Sequence, residues 1–167
     1  SELQDYIYGS AEAIGLLCLQ IFLAEENVSP ADRAAMERGA RALGSAFQKI
    51  NFLRDLGEDS STLGRTYFQQ APSGRIDEAT KSALIAEIRQ ELATAALTID
   101  VLPASARVGV SAAADIFAEL TNRLAATPAT ALATTRVSVP NHTKAWLAAR
   151  AVRRRGHSNQ TPPLAGD

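Results

Sequence analysis

The apolar positions of this chain show no sustained alternation of period two. They fall in long Ala- and Leu-rich runs broken by Pro, Gly and short polar clusters, which predicts helices throughout. A first helix is expected from about Glu2 to Glu26, stopping before Asn27. Ser29-Pro30-Ala31-Asp32 announces a second: Ser29 caps, Pro30 suits the first helical position, and Asp32 sits where a carboxylate reaches back. This helix runs to about Leu56, with Gly57 as its weak point. Gly57 to Gly74, with its glycines, Ser/Thr residues and Pro72, reads as a loop. A third helix is expected from Asp77 to Leu102, where Pro103 ends it, and a fourth from Ala104 to Ala126. Pro128 and Pro140 bracket a Thr-rich connection before a last helix over Asn141–Arg155. Gly156–Asp167, with two prolines and small polar residues, is expected to be a disordered tail behind one all-α domain over 1–155.

Composition narrows the class without changing that picture. At 46% hydrophobic and 21% charged, the 167 residues are of ordinary globular make-up. A net charge of −1 argues against nucleic acid as the main partner, because neutralising phosphates takes a surplus of Lys and Arg. The single cysteine, Cys18, cannot form an internal disulfide, and its apolar surroundings read as a small core position. With no secretory leader in view, the cytoplasm is the expected compartment, with contact at a membrane surface left open. The longest apolar stretch, Ala13–Ala24, is interrupted by Gln20 and too short to span a bilayer.

One stretch carries chemistry. At 100° per residue, Gln48, Asn51, Asp55 and Asp59 fall in a narrow arc of the second helix, while Phe47, Ile50 and Leu53 point elsewhere. Arg54 and Glu58 flank the stripe. Two amides and two carboxylates one turn apart suit a hard divalent cation that keeps part of its water and takes its remaining ligands from phosphate oxygens. Arg54, Arg65, Arg136 and Lys144 are candidate cations for a diphosphate. The same spacing also makes an ordinary solvated helix face. Against that, Phe47, Ile50, Phe52, Leu53 and Leu56 surround the stripe, and buried acids need partners. Spacing by itself leaves both readings open.

The run Ala42-Leu43-Gly44-Ser45-Ala46-Phe47-Gln48-Lys49-Ile50-Asn51-Phe52-Leu53-Arg54-Asp55-Leu56-Gly57-Glu58-Asp59 closely resembles the second aspartate-rich motif of the squalene and phytoene synthases. Gly64-Arg65-Thr66-Tyr67 follows at suitable spacing. Upstream, Tyr6-Ile7-Tyr8-Gly9 resembles the family's Tyr-x-Tyr helix. Downstream, Leu102-Pro103, Arg107, Asp115-Ile116-Phe117 and Arg136-Val137-Ser138-Val139-Pro140 keep the family's order. The resemblance implies an isoprenoid-synthase-type helical bundle around an apolar channel. The implied reaction is the head-to-head condensation of two prenyl diphosphates, geranylgeranyl diphosphate in the case of phytoene, with release of diphosphate. By position, Asn51, Asp55 and Asp59 would bind Mg²⁺, with Mn²⁺ as a substitute. Gln48, Arg54, Glu58, Arg65 and Arg136 would hold the diphosphate, and Asp55, Asp59, Arg54 and Tyr8 are the implied catalytic set. Tyr6, Tyr8, Phe52 and Phe117 are candidates for lining the pocket, against the commoner role of helix aromatics as core.

Three departures accompany the resemblance. The family's first aspartate-rich motif would stand upstream of Tyr6, and no second Asp-x-x-x-Asp occurs in these residues. Glu12 puts a charge near a close helix contact, and Phe117 stands where many members have Tyr. The first departure predicts a bundle incomplete on its N-terminal side, inactive alone, whose exposed apolar faces favour a homodimer or a domain swap. The competing reading is a non-catalytic helical interaction subunit that keeps the family fold. His142 and His157 lack metal-ligand spacing with Cys18. The Arg150, Arg153, Arg154, Arg155 cluster reads first as a charged helix end and second as a contact for an anionic membrane.

Overall fold

The computed structural model describes residues 8–56 and 76–158, with side chains from Ser10 to Arg154. A π-helical turn, Tyr8–Glu12, leads into α1 (Ala13–Phe22). Then follow α2 (Pro30–Asp55), α3 (Glu78–Ile99), α4 (Ala104–Ala126), the short α5 (Ala129–Leu132) and α6 (Asn141–Ser158). There is no strand among the described residues. The expected loop over 57–74 and the tail beyond Ser158 lie outside them.

Local chemistry sets most helix ends. The Asp32 amide donates to Ser29 Oγ at 3.1 Å, and that hydroxyl donates to the Asp32 carboxylate at 2.7 Å. Asp77 caps α3 by accepting from the Thr80 amide at 2.7 Å. The turn between α3 and α4 is closed by Arg107, whose guanidinium donates twice to the Leu102 carbonyl at 3.1 and 2.8 Å. The first helix ends earlier than the expected Glu26, and its expected start at Glu2 lies outside the described residues. Over Tyr8–Glu12 it is a π-turn, where the Ala11 carbonyl lies against Gly44, and it closes at Phe22 because Ala24 and Glu26 donate to carbonyls only three residues back. The Thr-rich connection contains α5, which the flanking prolines hid and which buries Ala129 and Leu132. The last helix continues through Gly156 to Ser158, so 156–158, with His157, belong to it and not to a tail.

α2 is the central element, packed on α3 along one side and on α1 and the π-turn along another. Ala46, Ile50 and Leu53 recur at helical spacing and are fully buried with Ile85, Ile88, Leu120 and Leu124 in the main core. A smaller cluster joins Leu19 and Leu23 to Met36 and Leu102. Only one face of α1 is covered: Ile14, Leu17 and Ile21 are 61%, 58% and 73% exposed. Cys18 lies on that open side and is exposed, which corrects its reading as a core position. No helix among the described residues is long and apolar enough to cross a membrane.

A buried lysine ties the α3 start to the α4 end. Lys81 is 2% exposed, and its ammonium donates to the Thr127 carbonyl at 2.7 Å and the Ala125 carbonyl at 3.3 Å, where the α4 dipole is negative. It also pairs with Glu78, whose other oxygen accepts from the Ala129 amide at 2.9 Å at the start of α5. Lys81→Met removes the donor from both carbonyls and is expected to cost about 2 kcal/mol. Urea unfolding at neutral pH measures it, and an unmoved midpoint would show that the ammonium contributes nothing.

Candidate functional site

α1, α2, the end of α3 and α4 line a half-open cavity of about 720 Å³. From Met36 to Asn51 its α2 wall runs about 22 Å, at about 1.5 Å per residue. The Met36 end is apolar, closed by Leu19, Phe22 and Leu102, and the opposite end carries Gln48 and Asn51. The walls can approach this closely because Gly15 and Gly44 have no side chain. A Cβ on Gly44 would lie 2.9 Å from the Ala11 carbonyl carbon and 3.3 Å from Glu12 Cα, and one on Gly15 would meet the Ala40 carbonyl. Glu12, the charge expected near a close helix contact, sits at this crossing and pairs with Arg41 at 3.5 Å.

The polar end is not self-satisfied. Asn51 Oδ1 is buried and has no hydrogen-bond partner among the described residues. A buried acceptor in that state costs about 1–3 kcal/mol unless something fills it. One turn along, Arg54 donates to both carboxylate oxygens of Asp55 at 2.8 and 2.6 Å, and Arg136 approaches from before α6 at 3.5 Å. The hydrogen bonds from Arg54 hold the Asp55 carboxyl below the ordinary carboxylate range. Burial pushes the other way, and the charges of Arg54 and Arg136 deepen the depression. Asp55 is therefore ionised at neutral pH. The stability it lends is fully present above its ordinary value of 3.8 and is lost as pH falls through its lower folded value.

The structure thus places Gln48, Asn51, Arg54, Asp55 and Arg136 at one end of the cavity or beside it. Asp59, Glu58, Arg65 and Tyr6 lie outside the described residues, as does the side chain of Tyr8. Phe52 and Phe117 both pack on the main core. The aromatics on the cavity wall are Phe22, at the Met36 end, and Phe47, whose ring stacks on Phe117 with centroids 3.8 Å apart. Among the described residues no three His, Cys, Asp or Glu gather as a metal cluster. What is present is an oxygen pair, the Asn51 amide and the Asp55 carboxylate, with the donor chemistry of a Mg²⁺ ion that also holds water and phosphate oxygens.

Behind the polar stripe stands an ion-pair cluster that the stripe's spacing does not show. Lys49 is buried between α2 and α3, and its ammonium donates at 2.6 Å to both Glu87 and Glu91. Ser45 donates to the same Glu91 oxygen at 2.8 Å, while the other Glu91 oxygen is buried without a partner among the described residues. Burial alone would lower the Lys49 pKa, but the hydrogen bonds to Glu87 and Glu91 and their charges outweigh it, so it lies above the ordinary 10.5. The signal was a lysine between Ala46, Ile50 and Leu53, with two glutamates one turn apart on the next helix.

Residues 1–143 match the family profile described as squalene/phytoene synthase. Over 72 residues the chain is 44% identical to phytoene synthase 3, chloroplastic, of Zea mays, covering 41% of this chain and 16% of that protein. Over 69 residues it is 42% identical to the 4,4'-diapophytoene synthase of Staphylococcus haemolyticus, covering 41% and 22%. A longer match of 136 residues is 27% identical to the bifunctional lycopene cyclase/phytoene synthase of Blakeslea trispora, covering 71% and 22%. The chain therefore matches about a fifth of the length of these relatives.

Proposed function

The chain belongs to the squalene/phytoene synthase family, and from that premise we propose that it carries one Mg²⁺-diphosphate half-site of a head-to-head prenyltransferase of carotenoid synthesis. The substrate that fits this reading is geranylgeranyl diphosphate and the product phytoene. The observation that carries it is the buried, unpartnered Asn51 carbonyl oxygen, one turn from the ionised Asp55, at the polar end of an otherwise apolar cavity. Asn51 and Asp55 would hold the metal, and Asp59 of the same motif would join them. Mg²⁺, when bound, supplies charge neutralisation for the departing diphosphate. Gln48 and Arg136 would donate to phosphate oxygens, a role supported by Gln48 on the cavity lining and Arg136 at 3.5 Å from Asp55, and Arg54 keeps Asp55 ionised and oriented. The apolar wall toward Met36, Leu19 and Leu102 takes the prenyl tail, and Phe47 belongs to the same lining.

Calorimetric titration with geranylgeranyl diphosphate, with and without Mg²⁺, tests this reading. Binding is expected to require the metal, and Asp55→Asn is expected to weaken it about tenfold, a change of about 1.4 kcal/mol. Binding that ignores both Mg²⁺ and Asp55→Asn would instead favour a helical interaction subunit that keeps the fold without the chemistry.

A further inference from the structure

The positive charge of this chain is unevenly placed. α6 carries Lys144, Arg150, Arg153, Arg154 and Arg155 and no Asp or Glu, although the whole chain has a net charge of −1. The helix packs on α4 and buries Leu147 and Ala151. At 100° per residue, Ala145, Trp146, Ala149, Val152 and Arg153 fall on the opposite side, and all five are exposed. Trp146 is 54% and Val152 58% exposed. The outward face is thus an apolar strip headed by a tryptophan and edged with basic residues.

The surrounding contacts preserve that strip. The Arg150 guanidinium lies over the Trp146 ring, 5.0 Å from its centroid. Arg150 and Arg154 share Asp115 on α4 at 2.9 and 3.4 Å. Asp115 cancels one charge and anchors two arginines, while Lys144 and Arg153 form no ion pair among the described residues. An outward tryptophan on a purely basic helix is costly against water. Its fit is to the headgroup region of a bilayer, where an indole has both an apolar and a polar neighbour. The charge asymmetry then selects anionic lipid.

We propose that the outer face of α6 docks on an anionic lipid bilayer, with Trp146, Ala149 and Val152 at the headgroup–acyl boundary and Arg153 on lipid phosphates. This surface is separate from the cavity and does not depend on the reading of that site. Trp146 is the only tryptophan in the chain, so its emission reports this face alone.

The full chain would be titrated with vesicles of phosphatidylcholine alone and of phosphatidylcholine containing phosphatidylglycerol. A blue shift of Trp146 emission and protection from iodide quenching are expected only with phosphatidylglycerol present. Binding should weaken as salt rises. Arg153→Glu removes one positive charge and adds one negative, which lowers the partition coefficient about twenty-fivefold at roughly fivefold per charge. The same reversal at exposed Arg38, on α2 and not on the docking helix, should leave it within about twofold of the parent. Trp146→Ala should weaken sedimentation with the same vesicles. Unchanged emission on phosphatidylglycerol vesicles, or equal binding to phosphatidylcholine alone, would overturn the proposal. Retention on single-stranded DNA that Arg153→Glu abolishes, with no response to vesicles, would overturn it in favour of a nucleic-acid surface.

Discussion

Replacing Gly44 by valine is expected to cost about 3 kcal/mol of folding stability, at the upper end of what over-packing a close contact costs. A Cβ at this position meets backbone: the Ala11 carbonyl, with its carbon at 2.9 Å, and Glu12 Cα at 3.3 Å. No rotamer change relieves a clash with main chain, so the π-turn and α1 must move away from α2. Any helix-propensity gain from leaving glycine, about 1 kcal/mol at most, is smaller than this cost. Ala11, Gly15 and Gly44 all line the cavity, so the shift also opens the wall beside Gln48 and Asn51. Gly109 is the internal control. It lies within α4 and on the same cavity, yet a Cβ there meets nothing within 4 Å. Gly109→Ala should therefore stabilise by about 0.5–1 kcal/mol. Urea unfolding of the two variants beside the parent decides the matter: a Gly44→Val protein as stable as the parent would mean that the helices do not cross this closely.

Lys49→Met is the second large effect, a loss of about 3 kcal/mol at neutral pH. The substitution leaves Glu91 facing the interface with one oxygen already unpartnered among the described residues and the other held only by Ser45. The figure is at the low end of the range for breaking a buried pair because Glu87 is half in water and can turn outward. Replacing both members, Lys49→Met with Glu91→Leu, should recover most of the loss, since no charge is then stranded. The pH dependence separates this from simple repacking. Because the folded pKa of Lys49 is raised, its contribution is complete below 10.5 and declines as pH climbs through the higher folded value. The stability difference between parent and Lys49→Met should therefore be flat through neutrality and shrink in alkali. A difference that does not change there would remove the ion pair from the account. The contact also fixes the rotation of α2 against α3, and with it the direction in which Asn51 and Asp55 point.

The helix starts were legible because their causes are local. Ser29 satisfies an amide within three residues of itself, and that cap forms as the sequence implies; the start expected at Asp77 proves to be a cap of the same local kind. The polar stripe of α2 was legible for the same reason, since one helix sets the relative placement of Gln48, Asn51 and Asp55. α5 was hidden because four residues are too few to show a period, and it is held by the distant Glu78 and by burial of Leu132. Cys18 was misread because an apolar run shows that a helix has apolar sides, not how many of them a neighbour covers. α2 covers one, leaving Cys18 with Ile14, Leu17 and Ile21 on the open side.

By itself, then, the sequence determined the all-α class, the capped start of α2, the approximate start of α3, and an oxygen-bearing helix face resembling one family's diphosphate motif. Each of these depends on residues within a turn or two of one another. Tertiary structure alone decided which charges are buried and what they hold. Lys49 meets its glutamates 38 and 42 residues away, and Lys81 meets its carbonyls at separations of 44 and 46. It also decided that Phe47, rather than Phe52 or Phe117, faces the cavity, and that the Asn51 oxygen is left without a partner among the described residues. A periodic pattern records the angle of a side chain around its own helix. Whether that angle meets water, an ion pair or a cavity depends on how the helices cross, and at Gly15 and Gly44 that crossing is set by side chains that are absent.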